Sequence, residues 1–453
     1  MSSTDKNKHS GDSGNDGFYD RLETRDPATR EAALFSALPL QVAHARSASA
    51  AFAGILADVD PAGVTDRAAL ARLPVTRKHA LLSLQQAARE RGDGGDAFGG
   101  FAAFGYGPQM PRVFASPGPL YEPDGARPDH WRLARAFHAA GFRRGDLLHN
   151  SFSYHLVPAG AMMESGAHAL GCSVFPGGTG QTEMQLQALA ELRADGYVGT
   201  PSFLRILLER MAEQGLALPH LRRALVSGEA FPPSLRDWVG ERGVAAFQCY
   251  ATADLGLIAY ETEAREGLVI DEGVVVEIVR PGTGEPVPDG EVGEVVVTSF
   301  NPAYPLVRFG TGDLSAVLPG HCPTGRTNVR IRGWLGRADQ TTKVRGMFVH
   351  PSQVAEIGRR VPEVGRLRLV VSGEMADDRL LLMAECSCFP PSSSSPSSSS
   401  SSSPPSSASF DGLEGRLADV LREVTKLRGE VRLFGVGELA NDGKVIEDLR
   451  SYR

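Results

Sequence analysis

Thr311-Gly312-Asp313 closes the run Leu306-Val307-Arg308-Phe309-Gly310, so glycines flank the threonine on both sides. Backbone there can lie close to a ligand and present the Asp313 carboxylate, a group suited to accept hydrogen bonds from both hydroxyls of a ribose. Further on, Gly336-Arg337-Ala338-Asp339, then Lys343, Arg345 and Gly346, read as a polar turn joining two bodies of the chain. Turns of either kind are common alone; their order and separation make the pair informative. Near the end stands Gly443-Lys444. A lysine is a compact point charge suited to phosphate, although the ordinary fate of such a residue is solvation.

Alternating strands and helices must position these groups. Asp129 is placed to cap a helix ending at Gly141. The pattern then predicts strand 146–150, helix 159–170, strand 172–176, helix 183–193, strand 196–200, helix 203–214, strand 223–227, helix 234–240 and strand 245–250. This alternation argues for an α/β fold with a mostly parallel sheet, whose ligands sit beyond the carboxyl ends of the strands. Thr200, Ser227-Gly228-Glu229 and Tyr250 fall at such ends. After Gly267 the period becomes two, predicting an antiparallel piece appended to the sheet. Ahead of it all, residues 18–86 read as helices interrupted at Pro39, Pro61 and Pro74, then a glycine-dense patch, 92–107.

The hinge turn divides a large body, residues 18–335, from a small α+β unit, 336–453. The small unit holds helix 351–360, strands 366–372 and 379–385, and an amphipathic helix 413–427. Within it, 14 of the 20 residues from Pro390 to Ser409 are serine; such a run cannot bury a core and reads as a solvated loop. Residues 1–17 read as a disordered lead.

The 453 residues carry a net charge of −7 with no basic stripe, which argues against a nucleic-acid partner. No apolar run is long enough to span a membrane, and the polar first residues do not resemble a secretory signal. The five cysteines form no disulfide framework and are expected as reduced thiols, in a cytoplasmic protein.

Read together, these stretches resemble the phenylacetate–CoA ligase family of adenylate-forming enzymes. The likeness runs from Phe18 onward and includes Leu73-Pro74-Val75-Thr76-Arg77-Lys78, His149-Asn150-Ser151-Phe152-Ser153-Tyr154, Phe175-Pro176-Gly177-Gly178 and Tyr250-Ala251-Thr252-Ala253-Asp254. The resemblance implies ATP, coenzyme A and Mg²⁺ as reaction partners of a small carboxylic acid, phenylacetate or a similar aryl or short apolar one. It assigns Ser116, Gly118, Ser227, Gly228, Glu229, Tyr250, Ala251, Thr252, Asp313, Arg337 and Lys343 to the nucleotide. Phe152, Tyr154, His155, Phe175, Gly177 and Gly178 wall the acid pocket, Asp254 holds Mg²⁺, Asp339 is the hinge, and Lys444 is the catalytic cation of a rotating lid. In isolation Tyr250 and the aromatic cluster read equally well as core, Asp254 as a turn cap, and Glu229 as a helix-start residue.

Two departures stand out. The family's Ser/Thr/Gly phosphate loop is replaced by Ala115-Ser116-Pro117-Gly118-Pro119-Leu120-Tyr121-Glu122-Pro123, which loses two N–H donors to proline and brings in a carboxylate. Some relatives hold a structural zinc; here Thr262, Val269 and Thr324 stand at ligand positions beside Cys322, so no structural zinc is expected. A protein that binds AMP or an acyl adenylate without turnover, as sensor or partner subunit, is the alternative reading.

Overall fold

The computed structural model describes residues 17–91, 96–116, 120–338, 342–344, 347–373, 378–386, 410–440 and 444–450. Gly118, Asp339, Arg345, Gly346, Gly443, the serine run and nearly all of the N-terminal lead therefore lie outside the described residues, as does the side chain of Lys343. The chain divides into two compact units, one of residues to Thr311 plus Ser315–Trp334, the other of Gly312–Leu314 plus Leu335 onward.

The first unit opens with helix Pro27–Ala48, capped by Asp26 and continuing through Pro39, where the sequence predicts a stop. Phe35, Leu38, Val42 and Ala45 recur at three- and four-residue steps and are all buried. Their packing outweighs the roughly 3 kcal/mol that an interior proline costs a helix.

Its main sheet has nine strands. Ser173–Pro176, Leu147–Asn150, Gly196–Gly199, Arg223–Val226 and Ala245–Thr252 run parallel in that spatial order. Gly256–Glu261, Leu268–Ile270, Arg330–Ile331 and Val317–Leu318 extend it antiparallel. Tyr197, Val198, Ala224, Leu225 and Val226 are buried, as a sheet covered on both faces requires. At Gly196 a Cβ would lie 2.1 Å from the Phe142 ring, so only glycine lets that ring pack on the strand.

The period-two segment does not join this sheet as expected. Val274–Val279 and Gly293–Ser299 pair with each other and, with Phe309–Ser315 and Thr76–Arg77, form a separate four-stranded sheet. The cause is that Val274, Val275, Val276, Ile278 and Val279 are all buried. Both faces of that strand need cover, and Phe35, Leu38 and Val42 belong to the same core. A hairpin of Val113–Ser116 with Leu120–Pro123 sets Ser116 opposite Leu120 and Phe114 opposite Glu122.

The second unit has its own core. Strands Glu430–Phe434, Arg379–Cys386, Val364–Ser372 and Ile446–Asp448 form its sheet. Helices Pro351–Arg360 and Phe410–Thr425 cover it through Val354, Ile357, Leu417 and Leu421. Cys172, Cys249 and Cys322 are buried free thiols, whereas Cys386 is disulfide-bonded, contrary to the expectation of reduced thiols throughout. Among the described residues no helix is long and apolar enough to cross a membrane.

Candidate active site

In the first unit, Lys78 begins helix Lys78–Glu90, directly after the short strand held on the second sheet. Its Nζ donates to Ser116 Oγ at 3.1 Å and to Asp254 Oδ2 at 3.2 Å, and lies 3.8 Å from Glu122 Oε1. Ser116 Oγ in turn donates to Glu122 Oε1 at 2.7 Å. Glu122 and Asp254 are only 2% and 5% exposed, so two carboxyl groups share one low-dielectric place with one ammonium. Burial first, and then the charge of Asp254, push the Glu122 carboxyl up to about 8; two carboxylates this close cannot both ionise freely.

Glu122 and Asp254 are also hydrogen-bonded to each other, so the neutral Glu122 supplies a proton to the pair, while Glu122 Oε2 and Asp254 Oδ1 meet no other donor among the described residues. Buried oxygen of this kind is costly unless a proton or cation faces it. The donor set therefore fits a hard cation such as Mg²⁺, which is bound by one or two carboxylates together with phosphate oxygens. Lys78 and Glu122 were not picked out as site residues in the sequence. Lys78 had only its place after Val75-Thr76-Arg77 to mark it, and Glu122 read as a departure.

The ends of the parallel strands bring together several expected residues. Gly228 has φ +81°, and a Cβ there would touch Phe152 at 3.6 Å and Thr200 at 3.9 Å, so these three residues adjoin. Tyr250 Oη donates to Thr311 Oγ1 at 3.2 Å, tying the end of the main sheet to the second one. Thr252 Oγ1 accepts from Leu255 N and closes the turn that carries Asp254. Ser227 Oγ is turned inward, donating to Cys249 O at 2.8 Å. Glu229 is exposed and accepts from Ser202 N at the first turn of helix Pro201–Glu213, a neighbouring helix rather than the one that follows it in sequence. Ala251 is half-buried beside Tyr250.

In the acid-pocket segments, Phe152 is buried and Tyr154 Oη donates to Glu164 at 2.8 Å while accepting from Asn150 Nδ2. His155 is exposed; the histidine stacked on Phe175, at 5.1 Å between ring centres, is His149. That places His149, not His155, with the aromatic group. Gln185 Oε1 accepts from His149 Nε2 at 2.7 Å and Ser151 Oγ at 2.6 Å, while its amide donates to Gly178 O and Gly180 O. Gln185 thus shapes the Gly177-Gly178 turn. A Cβ at Gly177 would meet His149 Nε2 at 2.8 Å, so glycine is required there. A glutamine facing inward on an otherwise apolar helix face was the available signal.

The second unit holds the remaining groups. Asp313 bridges Arg337 through backbone pairing, and Arg337 Nη1 lies 3.1 Å from Asp313 Oδ1. At Gly312, φ +73°, a Cβ would strike the Arg337 guanidinium at 2.7 Å. Glycine there lets the arginine lie over the backbone beside Asp313. Lys444 Nζ is 3.2 Å from Glu447 Oε1 on an exposed surface.

A family model described as AMP-binding enzyme matches residues 132–303. The solved structure of a 2-hydroxyisobutyryl-CoA ligase, with 2-HIB-AMP and CoA, superposes with a TM-score of 0.78 at 22% identity, covering 94% of this chain and 93% of that one. An anthranilate CoA ligase structure gives 0.51 at 17%, over 74% and 65%. The fold is therefore that of the adenylate-forming CoA ligases. Among curated proteins, the phenylacetate-coenzyme A ligase of Thermus thermophilus is 32% identical over 350 residues, 73% of this chain and 75% of that protein. The Pseudomonas putida protein of the same name is 34% identical over 56% and 60%. The chain belongs to the phenylacetate–coenzyme A ligase family.

Proposed function

We propose that this protein activates an aryl or short apolar carboxylic acid, phenylacetate being the first to test, and transfers it to coenzyme A. One acid oxygen attacks the α-phosphorus of ATP and pyrophosphate leaves; the coenzyme A thiolate then attacks the acyl carbon and AMP leaves. The observation that carries the reading is the 32% identity to a phenylacetate-coenzyme A ligase over three quarters of that protein's length.

The local chemistry supports the assignment of roles. Asp313, beside Gly312 and Arg337, is suited to accept the ribose hydroxyls. Gly228 and Tyr250 stand at strand ends where an adenine is held in open α/β sheets. Phe152, Tyr154 and Phe175, with the Gly177-Gly178 turn, offer the apolar walls and few polar groups typical of small-molecule pockets. Lys444 places a cation between the attacking carboxylate and the α-phosphate, holding the acid in line and offsetting developing charge. Asp339 serves as hinge of a lid comprising residues 336–453. Mg²⁺, when bound through Asp254, supplies charge neutralisation to the phosphates.

The prolines at 117 and 119 and the buried Glu122 favour a second reading, binding of AMP or acyl adenylate without turnover. Pyrophosphate release tests the two. Release that requires the acid and is lost in Lys444→Ala supports the ligase. Calorimetric binding of AMP with no release across a panel of acids supports the second.

A further inference from the structure

Gln185 is 2% exposed on the inward side of helix Thr182–Leu192, where Leu186 and Leu189 are buried with it. A side-chain amide has two acceptor lone pairs and two donors, and here all four are used. Oε1 accepts from His149 Nε2 and Ser151 Oγ, and Nε2 donates to Gly178 O at 2.8 Å and Gly180 O at 2.7 Å. Both carbonyls require the NH₂ end, so the amide faces one way only and His149 carries its proton on Nε2. His149 and Ser151 are 0% and 5% exposed, which puts the two bonds to Oε1 out of reach of bulk water. A buried network satisfied throughout is rigid.

The turn that this network holds has little stiffness of its own. Gly178, Gly180 and Gln181 have φ of +69°, +71° and +52°, and the turn's own bond to the strand end is Gly178 N to Asn150 O at 3.0 Å. At Gly177 a Cβ would meet Gln185 Oε1 at 2.9 Å, so the backbone of the turn lies directly on the amide. Beyond the amide stand the end of strand Leu147–Asn150 and the start of the segment that carries Phe152 and Tyr154, while Phe175, just before the turn, stacks on His149. One side chain thus clamps two parts of the proposed acid pocket together.

We propose that Gln185 is a positioning residue for the acid, fixing the Gly177-Gly178 turn against His149 and Ser151 and so setting which acyl groups the pocket accepts. The inference rests on the acid pocket of the function proposed above and deepens it. With the clamp in place the wall is pre-organised, and a compact acyl group meets it without ordering anything on binding. Without the clamp the left-handed glycines let the turn drift, and discrimination between short and longer acyl chains falls. The groups proposed for the nucleotide make no bond to Gln185, so nucleotide affinity is untouched.

The test is calorimetry of the full chain with acyl sulfamoyladenosines, inert mimics of an acyl adenylate, using the phenylacetyl and the longer phenylbutyryl compounds with AMP as reference. Gln185→Met keeps the length of the side chain without its four bonds. Gln185→Glu keeps the acceptor for His149 and Ser151 and loses at least one donor to the turn; it carries the comparison if the Met variant does not fold. Wild type should prefer the phenylacetyl compound. Gln185→Met should weaken that compound about tenfold, narrow the preference over the longer one and leave AMP little changed, with Gln185→Glu between the two. A purely structural role would lower the melting temperature of the variants and leave the ratio of the two compounds as in wild type. That result overturns the proposal, as does an equal loss of AMP and acyl compounds or wild type binding neither acyl compound. Acid-dependent pyrophosphate release is measured separately on wild type. Release with unchanged selectivity in the variants sinks the role of Gln185 alone, and Gln185-dependent selectivity without release sinks the ligase reading alone.

Discussion

Arg308 grips Glu277 with two parallel hydrogen bonds, Nε to Oε2 at 2.9 Å and Nη2 to Oε1 at 3.0 Å, with both side chains buried. Its remaining donors reach the carbonyls of Ala71, Leu73 and Gly284. Arg308 stands in the motif that leads to Asp313, yet it acts as a strut for the second sheet. Burial pushes the Glu277 carboxyl up in spite of the guanidinium, so the intact pair adds little net stability, while a lone survivor is costly. Arg308→Met should lower unfolding free energy by about 3–5 kcal/mol, read by urea titration. Arg308→Met combined with Glu277→Leu should recover much of that loss.

Lys444 is exposed and salt-bridged to Glu447, three residues on in strand Ile446–Asp448. Exposed pairs contribute little to stability, so Lys444→Ala should leave the urea midpoint nearly unmoved. Acid-dependent pyrophosphate release should fall at least a hundredfold, the usual scale for removing one transition-state charge partner. Unchanged release in a folded variant would remove Lys444 from the mechanism.

Replacing Pro117 and Pro119 by Ser and Thr restores two N–H donors to the loop. A charge-assisted hydrogen bond contributes about 1.5–3 kcal/mol, so ATP should bind roughly tenfold tighter or better. AMP, which has no β- and γ-phosphates, should change little. Calorimetry with both nucleotides decides the matter, and an equal shift for both refutes this account of the loop.

His130 is buried against Trp131, with Asn301 at its Nε2. Burial and nearby arginines push its imidazole down to about 3. A folded-state value below the usual 6.5 means the unfolded chain takes the proton more readily. The stability this provides is full above pH 6.5 and is lost progressively as pH falls towards 3. Between pH 6.5 and 4.5 the loss from this one group should be roughly 2 kcal/mol, seen as a falling urea midpoint. His130→Gln should flatten that part of the curve relative to wild type.

The parallel half of the main sheet was legible because its periodic segments carry their own punctuation. Helix Ala159–Leu170 ends at Gly171, with φ +88°, and Thr200 caps helix Pro201–Glu213, both close to where the sequence predicts boundaries. The second sheet was not legible as a separate body. Val274–Val279 is apolar on both faces, and alternation alone cannot tell which neighbour covers each face. Pro39 misled for a related reason, since a local helix-breaking rule lost to long-range packing by Phe35 and Leu38. In the site, Asp254 could be singled out from its motif. Its partnership with Lys78, Ser116 and Glu122 joins residues far apart in sequence, which spacing cannot reveal. His155 was preferred to His149 because proximity along the chain stood in for proximity in space.

Cys322 Sγ lies 3.1 Å from Thr324 Oγ1 and 3.6 Å from Thr262 Oγ1, with Val269 buried in the same cluster. One thiol and two neutral hydroxyls do not make a zinc ligand set. Arg326 extends the contacts, donating to Thr324 and to Glu23, which also accepts from Tyr260. Where a metalloprotein draws part of its folding free energy from the ion, this corner of the first unit is tied to the N-terminal segment by hydrogen bonds and charge. Its assembly is independent of the zinc supply of the cell that makes it, so chelator during expression or refolding has nothing here to strip.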